Sequence, residues 1–144
     1  MKPLNNKIFF ELLDEKYQPK KSILVPDGDI LKKAKVLDIG DKVTNIKKGD
    51  EIVLYVNDIR GIGDRKGYCN DTNPIFINDK PQPNKTHISK ISSDNLTKFD
   101  NGKVISSTDN NLKKNDIIGY IKGNGLILPD SSEIISDTQI FFKV

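Results

Sequence analysis

The fold is decided by Ala34-Lys35-Val36-Leu37-Asp38-Ile39-Gly40 and, after a short gap, Lys47-Lys48-Gly49-Asp50-Glu51-Ile52-Val53-Leu54-Tyr55-Val56. The first run alternates and is stopped by Gly40-Asp41. The second opens on a polar turn and continues into the most strand-like apolar run of the chain. Two strand-like runs separated by turn residues set a mostly β reading.

Other segments extend that reading. Lys7-Ile8-Phe9-Phe10-Glu11-Leu12-Leu13 is apolar enough for a strand with both faces partly covered. Ile75–Ile77, His87–Ile91, Ile117–Ile121, Leu126–Leu128 and Gln139–Val144 read as further strands, and Pro81 and Pro83 break the ladder between the first two. Asp14–Ser22 carries charge and Pro19 without a period, which predicts a loop. Residues 60–74 read as loop, and residues 92–116 as mostly irregular, with one helical turn around Asn95–Phe99. Ala34 is the sole alanine and Glu occurs four times, so the two best helix formers are nearly absent.

Composition bounds the function. The 144 residues, 35% hydrophobic and 30% charged, suit one domain with a modest core. The net charge of +3 is small and scattered, which argues against a nucleic-acid surface. No run approaches the ~18 apolar residues of a membrane span, and Met1–Asn6 lacks a signal-like stretch, so no membrane contact and a cytoplasmic location are expected. One cysteine, Cys69, and one histidine, His87, leave no zinc set and no disulfide. Gly61-Ile62-Gly63 and Gly123-Asn124-Gly125 match no phosphate-loop spacing, and Asp27-Gly28-Asp29 lacks the other ligands of a calcium loop. His87 reads as a surface or interface residue. No catalytic constellation is apparent, and neither an enzyme nor a cofactor is expected.

One internal echo stands out. Asn45-Ile46-Lys47-Lys48-Gly49-Asp50 before an apolar strand is matched by Asn111-Leu112-Lys113-Lys114-Asn115-Asp116 before another. Gly49 and Asn115 share a slot, and both residue types tolerate a left-handed backbone. Chance in a Lys/Asn-rich chain and a true repeat both remain open.

The order of these features resembles the GroES-like co-chaperonins, the small ring-forming lids of the chaperonin folding chamber. Lys2-Pro3-Leu4-Asn5-Asn6-Lys7-Ile8-Phe9-Phe10 is similar to the family's opening "RPL-x-D-R-V" strand. Ala34–Gly40 is similar to "G-x-V-x-x-V-G", Ile46–Val53 to "V-K-x-G-D-x-V", and Ser136–Val144 to the closing "D-I-L-A" strand. The resemblance implies a single mostly β domain over 1–144, a partly closed GroES-like β-barrel. Residues 11–26 would form a mobile loop, and 57–116 a family-atypical insertion. It implies a homo-oligomeric ring, a heptamer, whose partner is a GroEL-like chaperonin ring that handles the nucleotide itself.

On that reading Ile23, Leu24 and Val25, with Tyr17, contact the chaperonin. Ile8, Phe9 and Phe10 with Ile140, Phe141 and Phe142 form subunit interfaces. The family's two glycines before the tripeptide are replaced by Lys21-Ser22, and too few residues lie between Gly40 and Lys47 for the bacterial roof hairpin. Short-roofed lids are a feature of phage-encoded relatives, which implies a phage origin and action in the host cytoplasm. The other expectation weighed is a non-catalytic β-rich structural or adaptor protein of a virion, with the tripeptide in its core.

Overall fold

The computed structural model describes residues 2–16, 31–93, 99–121 and 125–144. They form two compact units, one running to Gln82 and the other from Pro83 to Val144, each built on one antiparallel sheet. The chain is thus mostly β. Neither sheet closes into a barrel among the described residues. The division falls inside 57–116, the segment expected as one insertion: its first part completes the first sheet and its remainder belongs to the second.

The first sheet contains β1 (Lys7–Lys16), β2 (Leu31–Ile39), β3 (Glu51–Tyr55), β4 (Arg60–Gly63), β5 (Lys66–Asn70), β6 (Phe76–Ile77) and β7 (Lys80–Pro81), in the order β4-β5-β1-β2-β3-β6-β7. Period-two alternation places Ile8, Phe10, Ala34, Val36, Ile52, Leu54 and Cys69 in one core cluster, closed by Val43 and Ile46 from the β2–β3 connection. Each large aliphatic or aromatic side chain buried there contributes about 1.5–3 kcal/mol. Phe10 lies opposite Gly67, where an added Cβ would stand 2.9 Å from the Arg60 carbonyl oxygen and 3.2 Å from the Phe10 ring. The large ring therefore requires the missing side chain.

Three local expectations change. β1 runs on through Glu11–Lys16, the start of the expected loop, because those residues pair across to β2. Residues 60–70, expected as loop, form the β4–β5 hairpin, whose second strand pairs with β1. The irregular reading of 92–116 gives way to a long strand over Phe99–Ser107. The expected helical turn, Asn95–Phe99, falls outside the described residues except at Phe99, which begins that strand.

The second sheet contains β8 (Lys85–Ser93), β9 (Phe99–Ser107), β10 (Ile117–Ile121), β11 (Leu126–Ile127), β12 (Glu133–Ser136) and β13 (Ile140–Lys143), in the order β11-β12-β8-β9-β10-β13. Apart from β7, this repeats the first sheet strand for strand. The echo noted in the sequence is the clearest local trace of it. Val36 N–H donates to the Asp50 carbonyl and Gly49 N–H to the Val36 carbonyl, both at 2.9 Å; Val104 with Asp116 and Asn115 with Val104 do the same at 2.8 Å. In each turn the Asp side chain accepts from the backbone N–H three residues earlier, Asp50 from Lys47 and Asp116 from Lys113. Gly49 and Asn115 both have positive φ, +89° and +76°.

The far edge agrees as well: Asp71 N–H donates to the Asn6 carbonyl and Asp137 N–H to the Asn84 carbonyl, both at 2.9 Å. Register then equates Phe10 with Ile88, Leu12 with Lys90, Leu54 with Tyr120, Gly67 with Glu133 and Phe76 with Phe142. The repeat is a duplicated six-strand arrangement, and chance does not account for it.

Candidate functional site

Ile23, Leu24, Val25 and Tyr17, the expected chaperonin contacts, lie outside the described residues, as do Pro26–Asp29. In chain order they fall between β1 and β2, neighbouring strands of the first sheet.

The residues expected at subunit interfaces separate into two groups. Ile8 and Phe10 are fully buried in the first core, and Phe9 is half-buried with its ring 6.4 Å from that of Tyr68. Both edges of β1 are taken within the chain, by β2 and β5. Ile140 packs partly buried against the second core. Phe141 and Phe142 are 58% and 47% exposed.

β13 pairs with β10 on one side, and its other edge is open among the described residues. The Phe142 ring lies flat over Gly119, where any Cβ would collide with it. Phe99 stands 5.3 Å from Phe141 and 5.7 Å from Phe142, which makes a compact aromatic patch along this edge. The equivalent positions of the first unit, Ile75 and Phe76, are 6% and 4% exposed. The same two places in one repeated arrangement are therefore covered in the first unit and bare in the second. An open strand edge bearing exposed aromatics is a site for strand addition.

The first unit carries an open groove of about 340 Å³ whose lining includes Leu4, Phe9, Ile62 and Tyr68 together with Lys2 and Lys7. Leu4 is exposed, and Lys7 is held by Asn70, whose Oδ1 accepts from its ammonium at 2.5 Å. Sequence reading placed Ile62 and Tyr68 in a loop and so missed their part in this groove. The run Gly67-Tyr68-Cys69, with its aromatic between two small residues, is a local signal for Tyr68, whereas Ile62 stands between two glycines that read as a turn.

One constellation has the composition of a catalytic triad. His87, expected at the surface, is buried, and its Nε2 lies 2.7 Å from Ser132 Oγ. Ser132 Oγ–H donates to Asp130 Oδ1, and Ser132 N–H donates to the same oxygen at 2.9 Å. With its only proton given to Asp130, Ser132 accepts from His87 Nε2–H. A histidine that donates to the serine cannot serve as its base, and the aspartate takes the serine proton that a triad hands to the histidine. The three groups instead lock the tight turn Leu128–Ser132, in which Leu128 N–H donates to the Ser132 carbonyl at 2.8 Å. Burial pushes the His87 pKa below its ordinary value, opposed by the Asp130 charge.

Cys69 is buried, and desolvation, with the charges of Asp58 and Asp71, pushes its thiol up to about 12. It is protonated at neutral pH, which makes it a poor nucleophile and metal ligand. Among the described residues no three His, Cys, Asp or Glu side chains converge as a metal site, and no helix is long and apolar enough to cross a membrane. No protein-family model matches the chain, and no curated protein matches its sequence.

Proposed function

We propose that this protein is a co-chaperonin of GroES-like type, a self-assembling lid that caps a GroEL-like chaperonin ring in the cytoplasm and assists folding. The observation that carries the reading is the contrast between Ile75/Phe76, buried, and Phe141/Phe142, bare on an open strand edge. A bare aromatic edge invites aggregation in a monomer, and a closed oligomer removes that liability. The open groove at Leu4, Phe9, Ile62 and Tyr68 offers a complementary apolar surface on a neighbouring copy.

The docking element is Ile23-Leu24-Val25, with Tyr17 beside it. Burying each of the three in an apolar groove contributes about 1.5–3 kcal/mol. Ordering the connection costs ~1–2 kcal/mol per residue fixed, so one segment alone grips weakly. Several segments on one ring make each later contact intramolecular, and release follows when the partner changes shape.

The test is the mass of the assembly in solution together with capture by a chaperonin ring in the presence of nucleotide. A closed ring, seven chains on the resemblance, is expected, and Phe141→Ser with Phe142→Ser should dissociate it. Ile23→Asp should keep the ring and abolish capture. A monomeric wild-type chain, or capture undiminished by Ile23→Asp, overturns the proposal.

A further inference from the structure

We infer that copies of this chain join head to tail, with the Phe141–Phe142 edge of one seated in the Leu4, Phe9, Ile62 and Tyr68 groove of the next; this rests on the self-assembly proposed above and assigns its two mating surfaces and their polarity. The internal repeat supplies the comparison. Phe141 and Phe142 are 58% and 47% exposed, whereas their counterparts Ile75 and Phe76 are buried. For the groove the pattern is the reverse. Register equates Phe9 with His87 and Tyr68 with Ile134, and Ile62 follows Gly61 as Leu128 follows Ile127. Phe9, Ile62 and Tyr68 are half-buried, whereas His87, Leu128 and Ile134 are 7%, 3% and 7% exposed. Each of the two surfaces thus occurs twice in the chain, once covered and once bare, and the two bare ones are of opposite kinds.

One contact between neighbouring copies covers both. An isologous joint, edge on edge, would cover Phe141 and Phe142 and leave the groove bare on every copy. Edge into groove leaves neither bare, and repeated around a closed ring it leaves no free end. The groove suits aromatic guests. It is open, and its lining includes Phe9 and Tyr68, whose rings are inclined by 59° with centroids 6.4 Å apart. Rings so inclined offer both edges and faces to a further aromatic. Lys2 and Lys7 stand in the same lining, and an ammonium is attracted to the negative face of an aromatic ring. Lys7 is steadied there by Asn70. The guest rings are already placed: Phe142 lies over Gly119, and Phe99 stands beside both Phe141 and Phe142. Side chains fixed before contact lose little freedom on docking.

The test uses two variants of the whole chain and their mixture, read by sedimentation. The edge variant, Phe141→Ser with Phe142→Ser, keeps the groove. The groove variant, Leu4→Asp with Ile62→Asp, changes an exposed and a half-buried residue and keeps the edge. Each alone is expected to lose assembly tenfold or more. Mixed in equal amounts at roughly a hundredfold the wild-type assembly midpoint, which replaces the avidity of a closed ring, they should form a species of two chains and nothing larger, through the one intact pair. If the groove variant loses the protection of its buried Cys69 and so has not folded, Leu4→Asp alone carries the same expectation. A folded groove variant that still assembles, or a mixture that stays monomeric, overturns the inference and leaves the lid reading standing. A mixed two-chain species together with a wild-type ring that no chaperonin captures overturns the lid reading alone. A monomeric wild type overturns both.

Discussion

Tyr120→Phe removes one oxygen atom and nothing else, so its effect can be worked from the surroundings of that atom. The ring packs beside Ile88 and Gly102 in the second core and keeps those contacts in the variant. The hydroxyl is buried without a partner, and desolvation together with Glu133 and Asp100 pushes its pKa up to about 12, so it stays neutral at any working pH. Leaving a buried polar group unsatisfied costs about 1–3 kcal/mol, so removing it should recover on the order of 1 kcal/mol. That is a roughly fivefold rise in the folded-to-unfolded ratio. The assay is urea unfolding, with hydrogen exchange at β8 to β10 to isolate the second unit, since two units need not unfold as one transition. The converse, Leu54→Tyr, adds volume and a hydroxyl to the apolar layer of the first unit and should cost about 1–3 kcal/mol. A loss of ~1 kcal/mol or more in Tyr120→Phe would mean the hydroxyl is well bonded and would refute the reasoning.

Three further outcomes are expected. The folded-state pKa of His87 lies below its ordinary value of 6.5, so the unfolded chain binds the proton more readily. This stability contribution is present above pH 6.5 and is lost as pH falls through that value toward the folded pKa. His87→Gln should flatten the pH dependence of second-unit exchange between pH 7 and 5 (roughly the window in which an unperturbed histidine titrates), and an unchanged slope would exclude His87 as its source. Gly67→Ala places a methyl group 2.9 Å from a backbone oxygen that cannot swing aside and should destabilise the first unit by ~1–3 kcal/mol in urea unfolding, whereas a neutral result would show that the β4–β5 hairpin yields easily. Cys69 should react with a thiol reagent only at the rate at which the first unit opens, so native-state labelling as fast as that of a free thiol would contradict its burial.

The strands legible in the sequence were those whose own residues favour extended backbone. Lys7–Leu13, Ile52–Val56 and Ile117–Ile121 are rich in aliphatic and aromatic residues, and the strands they form are each paired on both sides. β9 was illegible for the opposite reason. Phe99-Asp100-Asn101-Gly102-Lys103 contains three poor strand formers in succession, yet it pairs on both sides, with β8 and β10. Its two neighbours impose the extended form, and that is tertiary context no local window contains. β4 and β5 were hidden likewise by Gly61, Gly63 and Gly67, the last of which is glycine because Phe10 and Arg60 leave no room.

The duplication was half visible, and the reason is physical. The turn Asn-x-Lys-Lys-x-Asp survives in both copies because its geometry demands particular residues: a left-handed Gly or Asn, and an Asp to accept the free N–H. Strand interiors demand only size and polarity, so Phe10 can become Ile88 and Leu54 can become Tyr120 without altering the ladder. The connections between the first and second and between the second and third strands differ in length from one copy to the other, which breaks a single period across the chain even though the later strands keep a constant spacing. A repeat whose strands drift and whose loops slip is preserved in its turns and in its hydrogen-bond register. The positions where the two copies differ most are then the informative ones. Buried Ile75 and Phe76 against bare Phe141 and Phe142, and Leu54 against Tyr120, are departures that the shared fold does not require. Both lie in the second unit, one on its open edge and one at the end of its core.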